Sequence, residues 1–186
     1  ESGWWAFAKV DFDVLDGTEE TLLAGEEAEV RAAAGLETRV FLPEMADWEF
    51  NSPGEPGVVY YVGMGLVTEQ VPELAAGTIA DMRQRASDRN REMVARLNAF
   101  LAPVAADYEH DVLPLTPSGN ATERHILVAF DQAARRQMPD RVTLLAYWAG
   151  RLGMSVEQVG AFTGDEPFPH DAIRSRLMKR GGAGYI

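Results

Sequence analysis

Residues 4–15 read WWAFAKVDFDVL, and this stretch decides the fold class of the first part of the chain. Its even positions are apolar from Trp4 to Val14, whereas its odd positions change from aromatic to charged residues. A period of two residues is typical of a half-buried β-strand. The pattern therefore predicts a strand whose even side chains face a core.

A helix is predicted directly after this strand. Asp16 precedes Glu19 by three residues, as in a capping box. Apolar residues from Leu22 to Ala34 then follow at helical spacing, and Gly35 is a stop signal. The chain is thus expected to begin with a strand and a helix.

Further strands are predicted before residue 68. They cover Leu36–Leu42, the short run Trp48–Phe50, and Val58–Val62, which is rich in β-branched and aromatic residues. Gly63 and Gly65 predict a bend or bulge beyond the last strand. This part of the chain is therefore expected to be a small α+β sheet unit.

Residues 72–102 carry apolar residues at three- and four-residue steps, which predicts one long helix ended by Pro103. Its centre, residues 83–92, is charged almost all round. Burial on a small sheet would not account for so long a helix. We therefore expect a homodimer in which two copies pair through Ile79 to Phe100.

The C-terminal third carries helical patterns throughout. Residues 112–120 contain two prolines and a glycine and are predicted to be a linker. Glu123–Gln137 and Asp140–Leu152 then show the apolar stripes of two helices. Ser155 can cap a third, short helix that Gly164 ends. A fourth helix, Ala172–Arg180, sets Ile173 and Leu177 four residues apart.

Residues from Asp140 to Gly181 resemble helix-turn-helix families. In such families a polar residue follows the helix cap and a small residue lies at the contact between helices, and Glu157 and Gly160 match these here. A Thr-Gly pair then closes the first helix and an Arg-x-Arg-Leu run follows, and the matching residues are Thr163-Gly164 and Arg174-Ser175-Arg176-Leu177. The resemblance implies that the last helix contacts DNA. The residues expected to do so are Arg174, Ser175, Arg176, Lys179 and Arg180. The connection at residues 165–171 is longer than the usual turn, and a plain packing module is the alternative interpretation.

Together these patterns predict an α+β fold, with a small N-terminal sheet and a helix, one long helix, and a C-terminal all-α bundle like a helix-turn-helix. The expected domains are an acidic α+β domain over residues 1–111, a linker over 112–120 and a helical domain over 121–186.

Charge is distributed unevenly along the chain. The net charge is −12, yet residues 121–186 hold nine basic and seven acidic residues. Residues 1–73 hold sixteen acidic and only three basic residues. Because a DNA-binding surface must approach phosphates, only the C-terminal part could dock on DNA. We therefore predict a DNA-binding transcriptional regulator or accessory factor that binds double-stranded DNA. The alternative is a non-catalytic interaction protein whose acidic N-terminal domain binds a basic partner protein.

Signals for an enzyme are weak. The chain has no cysteine, which excludes disulfides and thiolate metal ligands. Each of the three histidines has a carboxylate beside it or two residues away, within residues 108–111, 123–125 and 170–171. None of these segments has the spacing that places two metal ligands on one face of a helix. Phosphate-binding and nucleophile motifs are missing from the sequence. We expect no catalysis, cofactor or metal, no contact with a membrane, and a cytoplasmic location.

Overall fold

The structure is a computed structural model, and it describes Gly3 and residues 5–116, 119–164 and 170–186. Trp4, part of the predicted linker and most of the predicted connection between the last two helices lie outside the described residues. The strands are β1 (Ala6–Phe12), β2 (Arg31–Phe41) and β3 (Val58–Leu66). The helices are α1 (Thr18–Glu27), α2 (Glu73–Phe100), α3 (Glu123–Gln137), α4 (Arg141–Leu152), α5 (Val156–Phe162) and α6 (His170–Met178). The predicted α+β class is confirmed.

The chain divides into two compact units, Glu1–Arg83 and Gln84–Ile186. The division falls within α2, whereas the sequence placed the domain boundary at residues 112–120. In that stretch Tyr108–Val112 and Leu113–Leu115 form short helical turns of the second unit. Asn90 ties α2 to the same region, because its buried Nδ2 donates to the carbonyl oxygen of Ala121 at 2.7 Å.

The N-terminal unit holds a three-stranded sheet in the order β1, β2, β3. β1 and β2 are parallel and are joined by α1, whereas β3 runs antiparallel to β2. The register shifts by one residue where Gly65, with φ of +90°, follows Met64. Glycine adopts this left-handed backbone at little cost, so the predicted bulge is confirmed at this position.

The boundaries of α1 and β2 differ from the expectation. The helix ends at Glu27, and Ala33 and Ala34, predicted to be helical, lie in β2. A Cβ atom on Gly25 would come within 2.4 Å of the Ala32 Cβ, so the glycine lets helix and strand pack closely. The predicted strand at residues 48–50 is also wrong, because this segment is an irregular loop with no ladder pairing.

The C-terminal unit is built around a well-packed helical core. The second half of α2, α3, α4, α5 and α6 contribute to it, and its largest fully buried side chains are Trp148, Phe130, Met93, Leu97, Leu101, Ile126, Ile173, Leu177 and Met178. Local signals set these helix ends, and the predicted cap at Ser155 is present. Ser155 and Gln158 form a capping box on α5, Asp140 caps α4, and Gly153 ends α4 in the left-handed conformation.

No helix in the described part of the chain is both long enough and apolar enough to cross a lipid bilayer.

Candidate functional site

Helix α6, the predicted DNA-contact helix, directs its apolar side inward. Ile173 and Leu177 are 1% and 2% exposed, as their spacing predicted. Arg174 of this helix and Lys179, which directly follows it, meet one carboxylate of α3. Lys179 Nζ lies 3.0 Å and Arg174 Nε 3.6 Å from Glu123 Oε2. Arg89 of α2 lies 3.1 Å from the other oxygen of Glu123, whose side chain is only 11% exposed.

The remaining predicted contact residues also have neighbours within the chain. Ser175 donates to the carbonyl oxygen of Asp171 at 2.8 Å, and Arg176 Nη1 donates to the carbonyl oxygen of Leu152 at 3.1 Å. Arg180 is exposed. Arg174, Arg176 and Lys179 therefore join this segment to the rest of the C-terminal unit, whereas the Ser175 bond lies within the helix.

The histidines lie in local surface arrangements. His110 Nδ1 lies 2.7 Å from Asp107 Oδ1, and this pair raises the pKa of His110 while the bonds from His110 lower the pKa of Asp107. His125 Nδ1 accepts from the backbone N–H of Thr122 at 3.0 Å, at the start of α3. The side chain of His170 lies outside the described part. Among the described residues no group of three metal-ligating side chains comes together.

The sheet of the N-terminal unit has two different faces. Residues paired across the register share a face. One face, here called the open face, is formed by Ala6, Ala8, Val10 and Phe12 of β1, Arg31, Ala33, Gly35, Glu37, Arg39 and Phe41 of β2, and Val58, Tyr60, Val62 and Met64 of β3. Its charged members, Arg31, Glu37 and Arg39, all lie on β2, and Arg39 forms an ion pair with Glu55. The ring of Phe12 lies 6.2 Å from that of Tyr60, so aromatic contact links the outer strands across this face.

Apolar side chains of the open face are exposed to solvent. Val10 and Phe12 are each 40% exposed, Val62 is 47% and Met64 is 50% exposed. These side chains lie on the two outer strands, with Gly35 and Glu37 of β2 between them. Exposed apolar side chains grouped on one surface mark sites of interaction in soluble proteins. The open face is therefore a candidate binding surface.

The other face of the sheet packs against α1, and this corrects the expectation for β1. Its even side chains were predicted to face a core, yet Lys9 and Asp11 lie on the helix side. Lys9 forms an ion pair with Asp11 and donates to the carbonyl oxygen of Asp16 at 2.6 Å. Because each polar group has a partner, charged residues can lie half-buried beside the helix. The alternation of apolar and polar side chains in β1 was predicted correctly. The prediction of which side of the strand is covered was wrong.

Asp13 occupies a strained position directly after β1. Its φ is +60°, in the left-handed region, and its backbone N–H donates to the carbonyl oxygen of Glu37 at 2.9 Å. Burial raises the pKa of its carboxyl group, although a hydrogen bond from the Thr38 side chain opposes this shift. Oδ1 is buried without a hydrogen-bond partner among the described residues. Ionisation of Asp13 therefore costs the folded state free energy.

We expect Asp13→Asn to raise the melting temperature at pH 7. Asparagine tolerates the left-handed backbone as aspartate does, and it removes the buried negative charge. Since the folded pKa of Asp13 is raised, its stabilising contribution is present below pH 3.8 and is lost as the pH rises through the folded pKa. The difference between the two proteins should thus be seen in thermal melts at pH 7 and vanish near pH 3.

Asp13→Ala is the control for backbone strain. Alanine also removes the charge, but it costs about 1–2 kcal/mol in the left-handed region. This variant should be less stable than Asp13→Asn at both pH values. Equal melting temperatures for Asp13→Asn and the parent protein at pH 7 would contradict the burial cost assigned to the carboxylate.

The chain was compared with families, curated proteins and solved structures. No family model matches this chain, and no curated protein matches it significantly. The chain is similar to an amidohydrolase from Chromobacterium violaceum, solved with bound sulfate and no metal, with 20% sequence identity and a TM-score of 0.47. The similarity covers 88% of this chain and 46% of the amidohydrolase chain, so this chain spans less than half the length of that structure.

The prediction of a DNA-binding transcriptional regulator is wrong. Within the chain itself, Arg174 and Lys179 are neutralised by Glu123, and Arg176 is held by a backbone carbonyl. These internal contacts compete with contacts to DNA phosphates.

Proposed function

We propose that the N-terminal unit binds a basic partner protein on its open face. The observation that carries the proposal is the set of half-exposed apolar side chains on one face of the sheet, Val10 and Phe12 on β1 and Val62 and Met64 on β3. Fully burying one Val, Phe or Met side chain contributes ~1.5–3 kcal/mol. Several such side chains on one surface would supply much of the affinity of a complex, because a few central residues dominate most interfaces.

The charge of the unit supports a partner of opposite sign. Residues 1–73 hold sixteen acidic and three basic residues. Arg31 and Arg39 lie on the open face, but this part of the chain as a whole attracts basic surfaces and repels acidic ones. A second copy would bring a surface of the same sign. The favoured occupant is therefore a protein segment with an apolar side for the open face and lysine or arginine around it.

Designed peptides test this proposal without knowledge of the natural partner. The probe is a labelled decapeptide of alternating leucine and lysine, which as a strand presents one apolar and one basic side. Its comparators replace lysine with glutamate or leucine with serine. We expect the leucine–lysine peptide to bind most tightly in fluorescence anisotropy and to weaken as salt is added.

Two substitutions on the open face should weaken that binding. Val62→Ser combined with Met64→Ser should reduce affinity for the leucine–lysine peptide ~tenfold or more, because ~1.4 kcal/mol corresponds to a factor of ten. The matched control is Leu23→Ser, which removes a 59% exposed apolar side chain from α1. This control should bind as the parent protein does.

Three results would overturn the proposal. They are unchanged affinity in the double variant, equal binding of the leucine–glutamate peptide, and equal binding of the serine–lysine peptide. Self-association detected by sedimentation and lost in the double variant would instead assign the open face to a second copy.

The homodimer through Ile79 to Phe100 stays a separate prediction. Met93 and Leu97 of this helix are fully buried within the C-terminal unit, so a second copy would have to use the other side of the helix or its first half. Light scattering at a protein concentration of tens of micromolar tests this prediction, because it measures the mass of the protein in solution. The expectations of no catalysis, no cofactor and a cytoplasmic location likewise stay predictions.

A further inference from the structure

A cavity of about 340 Å³ lies within the N-terminal unit, apart from the residues of the open face. Its volume falls in the range of small-molecule sites. Leu15, Val71 and Ile79 contribute apolar wall, and Asp16, Glu69 and Arg83 contribute charge. A cavity that combines aliphatic surface with charges of both signs suits a ligand of the same mixed character.

Three segments bring these side chains together. Leu15 and Asp16 belong to the loop after β1, and Ile79 and Arg83 are four residues apart on α2, so they lie on one side of the helix. The segment before α2 is tied to α1, because Glu19 Oε1 accepts from the Thr68 hydroxyl at 2.7 Å and from the backbone N–H of Glu69 at 3.3 Å. These contacts hold the cavity wall in place.

Arg83 is only partly satisfied. One of its terminal nitrogens forms an ion pair with Asp16. Its Nε atom is buried and has no acceptor among the described residues. A buried N–H without a partner costs free energy that a ligand oxygen can recover. Arginine presents its N–H groups as a planar fork that matches a carboxylate.

The carboxylates of the cavity have the opposite preference. Glu69 is an exposed carboxylate, and the surrounding unit is strongly acidic. A ligand with only a carboxylate would be repelled here, and a ligand with only an ammonium group would leave Arg83 Nε without an acceptor. A zwitterion satisfies both groups.

We propose that this cavity binds a small zwitterion with an aliphatic side chain, of the class of the branched α-amino acids. The ligand carboxylate accepts from Arg83 Nε, and its ammonium group lies toward Glu69 and Asp16. Its side chain packs on Leu15, Val71 and Ile79. This site is independent of the open face and does not require the proposed partner protein.

Three related probes separate the contributions of the two charges. The probes are L-leucine, 4-methylpentanoate, which lacks the ammonium group, and 3-methylbutylamine, which lacks the carboxylate. In calorimetric titrations with the full chain we expect L-leucine to bind and both analogues to bind at least tenfold more weakly, since each loses one charged contact.

Two variants test the location of the site. Ile79→Trp should abolish binding of L-leucine by filling the cavity, whereas Leu74→Trp places the same side chain at a fully exposed position of the same helix and should leave binding unchanged. Arg83→Gln keeps a polar side chain at the wall and should weaken L-leucine binding at least tenfold while binding of 3-methylbutylamine stays within threefold. The Arg83→Gln variant therefore still tests the site if Ile79→Trp does not fold.

Absence of heat from L-leucine at millimolar concentration would overturn the proposal. Equal affinity for L-leucine and 3-methylbutylamine would also overturn it, because the site would then recognise a cation alone. Full retention of L-leucine binding in Arg83→Gln would remove the assigned role of Arg83. None of these outcomes depends on the peptide experiment on the open face.

Discussion

Phe130→Ala is expected to lower the free energy of unfolding of the C-terminal unit by ~3–5 kcal/mol. Phe130 lies in α3 and is fully buried in the core of this unit. Its removal loses the transfer free energy of the ring and leaves a cavity that the surrounding helices fill only partly. A loss of this size is a large part of the stability of a small domain.

Amide hydrogen exchange is the appropriate measurement, because it reports on residues 123–152 separately from the N-terminal unit. Val142→Ala is the control, since this side chain is 73% exposed on α4. It should change the free energy of unfolding by no more than ~0.5 kcal/mol. Similar acceleration of exchange in both variants would contradict the assignment of Phe130 to the core.

Glu123→Gln is expected to destabilise the attachment of α6 by ~1.5–3 kcal/mol, the range for hydrogen bonds to charged groups. Glu123 accepts a hydrogen bond from Arg89, forms an ion pair with Lys179 at 3.0 Å and lies 3.6 Å from Arg174 Nε. Glutamine keeps the shape of the side chain but removes the negative charge, so cations from α2 and α6 are left close together. Exchange of the amides of residues 170–178 should become faster.

Glu157→Gln is the matched control for this change. Glu157 is exposed in the first turn of α5 and has no ion pair among the described contacts. Its substitution should leave exchange in α6 almost unchanged. If Glu123→Gln also leaves α6 as well protected as in the parent protein, the apolar contacts of Ile173 and Leu177 alone hold this helix.

Much of the helical half of the molecule could be predicted because its signals are local. The capping box of Ser155 and Gln158, the cap at Asp140 and the stop at Gly153 each depend on residues within one turn. The four-residue spacing of Ile173 and Leu177 likewise identified the buried side of α6. Local hydrogen bonds and side-chain periodicity act over a few residues, so a single sequence carries them in full.

The prediction of DNA binding was wrong because it depended on contacts between helices that are far apart in the sequence. The Arg-x-Arg-Leu run established that α6 is basic and amphipathic, but it could not establish what the cations contact. Glu123 lies about fifty positions earlier in the chain and approaches Arg174 and Lys179 only after the helices pack. Whether a surface cation is free for a ligand is a property of tertiary contacts.

The N-terminal unit shows most clearly which features the sequence determines and which depend on tertiary contacts. The sequence by itself determined that β1 has one apolar and one charged side, because alternation is a property of the strand backbone. Only the tertiary structure decided which side α1 covers, since that depends on the parallel crossover to β2 and on the close approach at Gly25. It also decided that Lys9 and Asp11 lie beside the helix and that Val62 and Met64 remain exposed. Strand pairing and helix packing join residues far apart in the chain, and no local pattern specifies those contacts.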